Sequence, residues 1–149
     1  MQELTFDDTL ALILAKDPRF QREAYLFVKD ALDHTQKTIV REDPNRHPKK
    51  SGRENHVSGQ ELLAGIRECA LTQFGPMTDL VFEEWGVRRC EDFGEIVFNM
   101  VEIGLLGKTD EDSRADFTNG YSFHDAFRKP FLPSDKLRAS ENIPKVTEA

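Results

Sequence analysis

Residues 91–106, Glu-Asp-Phe-Gly-Glu-Ile-Val-Phe-Asn-Met-Val-Glu-Ile-Gly-Leu-Leu, constrain this chain more than any other stretch. At about 100° per residue, Phe93, Ile96, Val97, Met100, Val101 and Ile103 share one broad arc, the apolar stripe of a helix packed on one side. Phe98 lies at its edge beside Gly94, where the missing Cβ would let another backbone come close. The opposite arc holds Glu91, Asp92, Glu95, Asn99 and Glu102: four carboxylates and no cation. Glu91 and Asp92 suit the positive end of the helix dipole. Gly104 is suited to a left-handed stop, with Leu105 folding back as its apolar partner.

Around this helix the chain reads in order. Thr5 and Asp8 have capping-box spacing ahead of a stripe of Phe6, Leu10, Ile13 and Leu14. Asp17-Pro18 predicts a second helix, with Asp17 as cap and Pro18 at its first position, running to about Lys37. Its apolar side is Phe20, Ala24, Phe27, Val28, Ala31 and Leu32, widened by Tyr25 and Leu26. Leu12, Tyr25 and Leu26 together would offer an alternative dimer surface. Residues 41–55 carry no periodic apolar residue but two prolines, a glycine and the chain's one basic cluster: Arg41, Arg46, Lys49, Lys50 and Arg53. They read as a loop.

Ser58 and Glu61 form a second capping box, stapled by Val57 and Leu62, and open a helix that runs to Phe74 and stops at Gly75-Pro76. Thr78 is suited to cap a short helix with Leu80, Val81, Phe82 and Trp85 apolar, halted at Gly86 with Val87 folding back. After Gly104, residues 106–109 read as a strand and 110–116 as an acidic turn. Tyr121 and Phe123, alternating with Ser122 and His124, read as the returning strand. Asn119-Gly120 would be an alternative tight turn between 115–118 and 121–124.

Three helices followed by a hairpin is the order of a winged helix. The expected fold is therefore mainly α (α+β): an N-terminal helix pair packed on a winged-helix-like three-helix unit with a C-terminal β-hairpin. Residues 1–133 would form a single domain, with the helix pair at 5–38, a flexible basic loop at 39–56 and the winged-helix-like unit at 57–128. Residues 134–149 read as a mobile tail.

In a DNA-binding winged helix the third helix enters the major groove. Here four carboxylates on that arc would be repelled by phosphates. The net charge of −7 points the same way and also disfavours anionic membranes. The N-terminus lacks the basic region of a secretory signal, and no apolar run reaches spanning length, so a cytoplasmic protein is expected. Cys69 and Cys90 are too few and too far apart for a disulfide framework or a zinc motif.

The runs His56–Leu63, Asp92–Asn99 and Gly104–Thr109 resemble a family of uncharacterised proteins of planctomycete and verrucomicrobial bacteria. The likeness spans most of residues 5–133. It implies a bacterial, cytosolic protein and carries over no activity and no site residue.

No sequence pattern asks for a cofactor, a metal or a catalytic set. Asp110, Asp112 and Asp116 lack the glycine and closing glutamate of a calcium loop. The four histidines show no metal-binding pair; Cys90 precedes a helix start, where a thiolate would be stabilised, but a partly buried thiol or cap substitute is the favoured reading. The leading functional expectation is a non-catalytic protein-interaction module. Its acidic third-helix face, Glu91, Glu95, Asn99 and Glu102, would hold a protein partner with a basic surface. The alternative is a nucleic-acid-associated regulator using Arg46, Lys49, Lys50 and Arg53 of the basic loop, although no aromatic residue is interleaved there for base stacking. A further alternative is a small-ligand-binding domain or enzyme with a cleft beside Tyr121 and His124. The sequence leaves oligomeric state open.

Overall fold

The computed structural model describes residues 5–42, 57–106 and 114–133. Five α-helices carry the architecture: α1 (Phe6–Lys16), α2 (Arg22–Glu42), α3 (Gly59–Phe74), α4 (Thr78–Trp85) and α5 (Cys90–Glu102). Both capping boxes form. The Thr5 hydroxyl accepts from the Asp8 N–H and that of Ser58 from the Glu61 N–H, and each N3 carboxylate returns a bond to the cap's own N–H.

The longest helix, α2, crosses α3 so closely that a Cβ on Gly65 would lie 1.8 Å from Thr35 Oγ1. Thr35 instead turns its hydroxyl to the Ala31 carbonyl, 2.7 Å away. Beyond the crossing, four rings from three other segments converge on Phe82. It touches Phe27 of α2, Phe93 of α5, and Phe123 and Phe127 of the C-terminal segment, with centroids 5.2–5.7 Å apart. Phe82, Phe93 and Phe127 are fully buried.

Helices α4 and α5 end alike. Gly86 and Gly104 adopt φ of 88° and 89°, and the next residues, Val87 and Leu105, donate to the carbonyls of Phe82 and Met100, both at 2.8 Å. This is the left-handed stop with an apolar fold-back that the two glycines predict.

Four expectations need correction. Pro18 does not start α2. Asp17 is the C-cap of α1, and its carboxylate accepts from the Arg19 N–H and guanidinium, so residues 17–21 form a tight turn before Arg22. At its other end α2 continues to Glu42, so residues 39–42 are helix rather than loop. Thr78 is the first residue of α4, not its cap. Its hydroxyl donates back to the carbonyls of Ala70 and Gly75 and seals the end of α3.

The fourth correction concerns the hairpin. Among the described residues there is no strand. The proposed first arm lies mostly outside them, but the returning arm, Tyr121–His124, enters a one-turn π-helix at His124–Arg128, followed by a 3-10 turn at Lys129–Phe131. The Ser122 hydroxyl accepts from the Asp125 N–H and its carbonyl from the Ala126 N–H, a helix-initiating arrangement. Phe123 and Phe127 then stack one turn apart, 5.1 Å between centroids, against Phe82. Four residues of alternation are too weak a signal to withstand that aromatic packing. The Asn119-Gly120 alternative fails as well: Asn119 is left-handed, but residues 115–117 belong to a 3-10 turn, Arg114–Phe117.

Candidate functional site

Two surfaces hold the residues worth considering. The first lies where the outer arc of α5 meets the end of α1 and the turn after it. Its order comes from a chain of polar contacts. Arg19 forks onto Asp17, at 2.9 and 2.7 Å, and reaches Glu95 at 3.2 Å. The Asn99 amide donates to both Asp17 and the hydroxyl of Tyr25, each at 2.9 Å. Lys16 pairs with Glu102 at 2.8 Å.

The fork from Arg19, reinforced by the amide of Asn99, holds the Asp17 carboxyl far below the usual carboxylate range. Donating to the Asp17 carboxylate raises the Arg19 guanidinium in turn. A cavity of about 360 Å³ opens beside this chain, floored by Ile13 and Ile103.

Of the predicted docking residues, Asn99 and Glu102 line this cavity, Glu95 stands beside it, and Glu91 sits half-buried in the first turn of α5. Helix α5 has no cation of its own on this arc, but the α1–α2 corner supplies Lys16 and Arg19. Nothing in the periodicity of either segment announced that juxtaposition, because it is a tertiary contact. Tyr25 is fully buried by it, so Leu12, Tyr25 and Leu26 do not form one exposed patch. Gly94, too, serves a close approach, but the neighbour at 3.0 Å is the side chain of Phe117, not a backbone.

The second surface escaped the sequence reading. A groove of about 500 Å³ runs between α4 and the C-terminal turns. Its floor is the buried trio Val87, Phe123 and Phe127; its apolar walls are Leu80, Phe131 and Leu132. Those three are 58%, 46% and 45% exposed, three of the five large apolar side chains that stand out among the described residues. Asp79 and Arg128 close one part of the rim with an ion pair at 3.6 Å. The signal was present. Leu80, Val81 and Phe82 are consecutive, so they span more than half of a helix and cannot all face one core.

The remaining candidates separate. Arg46, Lys49, Lys50 and Arg53 lie outside the described residues, as do Asp110 and Asp112. Arg41 is in the last turn of α2, its guanidinium 3.4 Å from the Thr38 hydroxyl. Cys90 does open α5, but it is buried, its thiol donates to the Tyr121 carbonyl at 3.3 Å, and burial pushes its pKa up to about 11. Desolvation thus outweighs the helix terminus, and the group is a thiol at neutral pH. Tyr121 spends its hydroxyl on the Leu63 carbonyl at 2.7 Å, whereas His124 points into solvent, so the two do not converge on a cleft.

Among the described residues no three His, Cys, Asp or Glu side chains gather as a metal site, and no helix is long and apolar enough to cross a membrane. No family model matches the chain, and neither a curated protein nor a solved structure does.

Proposed function

We propose that this chain is a non-catalytic protein-interaction module that docks through the groove between α4 and the C-terminal turns. The observation that carries the reading is the exposure of Leu80, Phe131 and Leu132 around one floor of buried rings. Exposed apolar side chains that cluster at a concave site mark contact surfaces, whereas scattered ones do not. Covering the exposed part of each would contribute about 1 kcal/mol. The polar rim supplies orientation rather than much affinity.

The acidic arc of α5 supports docking less well. Glu95 and Glu102 are engaged with Arg19 and Lys16, so a basic partner would have to displace those cations before gaining contacts of its own.

The test is site-specific photo-crosslinking of the full chain in its native cells. A photoreactive residue replaces Leu80 in one variant and Leu12 in another. Leu12 is 50% exposed but lies on α1, away from the groove. Discrete crosslinked products from position 80 and none from position 12 are expected. Equal products from both positions, or none from position 80, would overturn the reading.

A further inference from the structure

The rim of the groove carries two charges that the fold leaves unused. Glu83 projects from α4 and Arg88 from the segment after Gly86; both line the groove and both are exposed. The Glu83 carboxylate and the Arg88 guanidinium have no ion-pair partner among the described residues. Asp79 and Arg128, on the same rim, satisfy each other.

One groove therefore presents an apolar centre, one unmatched carboxylate and one unmatched guanidinium. Such a surface is complementary to itself. A two-fold axis through the centre would stack the Leu80, Phe131 and Leu132 walls of two copies. It would also set Glu83 of each copy against Arg88 of the other, so a single arrangement neutralises both charges twice. A strongly basic partner would satisfy Glu83 but oppose Arg88, and a strongly acidic one the reverse.

We infer that the occupant of the groove is a second copy of this chain, held in a symmetric dimer with reciprocal Glu83–Arg88 pairs. The inference rests on the docking reading above and narrows it to one partner.

Analytical ultracentrifugation of the full chain, from micromolar to millimolar concentration, tests it with four variants. The parent chain should show a concentration-dependent dimer. Leu80→Asp should abolish it. Glu83→Arg and Arg88→Glu, each of which sets like charges together at two places, should each weaken it by about tenfold or more. The double exchange, Glu83→Arg with Arg88→Glu, should restore it, because the reciprocal pairs re-form with their signs reversed.

Thermal melting of each variant accompanies the series; all three replaced side chains are exposed, so folding should persist. A chain that stays monomeric throughout overturns the inference, and so does a dimer indifferent to the single exchanges or not rescued by the double one. A monomer that still gives crosslinks from position 80 leaves the groove as a site for a different protein. A dimer without those crosslinks removes the groove itself.

Discussion

Helices α4 and α5 are built to the same plan and end in opposite situations. Each is short and amphipathic, each stops at a left-handed glycine, and each is sealed by a 2.8 Å bond from the following apolar residue. Helix α5 is then engaged on both sides. Its apolar arc is buried through Phe93, Ile96 and Met100, and its polar arc is tied to the α1–α2 corner by Asn99, Glu95 and Glu102. Helix α4 buries Phe82 but leaves Leu80 in solvent. Apolar pattern in excess of available cover, rather than charge, distinguishes α4 from α5.

The strongest way to break this contrast is to truncate the buried side of α5. Phe93→Ala removes a ring in contact with Phe82 and Phe123, and should cost about 3–5 kcal/mol in denaturant unfolding. A loss no larger than that of a surface change would mean that α5 is not a core element.

The two glycine stops sharpen the comparison next. A Cβ on Gly86 would lie 2.3 Å from the Arg19 carbonyl oxygen, whereas a Cβ on Gly104 meets nothing. Gly86→Ala should therefore cost about 2–4 kcal/mol, strain plus collision, and Gly104→Ala about 1 kcal/mol, strain alone. Equal losses would show that the turn of residues 17–21 does not press on the end of α4.

The locked polar arc has a signature in acid. The Asp17 carboxyl is depressed in the folded chain below its ordinary value of 3.8, so its stabilising contribution is complete above that pH and is lost as pH falls further. Asp17→Asn should flatten the fall in stability below pH 4, measured by denaturant titration at successive pH values. An unchanged acid limb would mean that the corner network is not formed.

The smallest effect belongs to the exposed wall of α4. Leu80→Ala should change stability by less than about 0.5 kcal/mol, because the side chain is mostly in water. A larger loss would place Leu80 in the core and abolish the contrast between the helices.

What was legible in the sequence follows the range of the forces involved. Capping boxes at Thr5 and Ser58, the stops at Gly86 and Gly104, and the arc of α5 are settled within a turn or two, and all of them form. The errors fall where a distant partner decides. Asp17 looked like a cap for α2 but serves Arg19 and Asn99 instead. Tyr121–His124 looked extended until Phe82 gathered Phe123 and Phe127 into a helical turn. The acidic arc was legible as a composition. Its cations, Lys16 and Arg19, lie more than seventy residues away in the chain and could not be read from it. The groove could have been suspected from three consecutive apolar residues in so short a helix, but its opposite wall, Phe131 and Leu132, sits between two prolines and resembles a chain ending.

The position of Phe82 at the meeting point of four segments has one more consequence. Eight residues are too few for α4 to hold its shape unaided. The helix exists because rings from α2, α5 and the C-terminal turns grip it from behind. The ledge bearing Leu80 thus depends on the core behind it and is absent from any chain whose interior has come apart. A partner docking there would, in effect, be inspecting the integrity of the entire molecule.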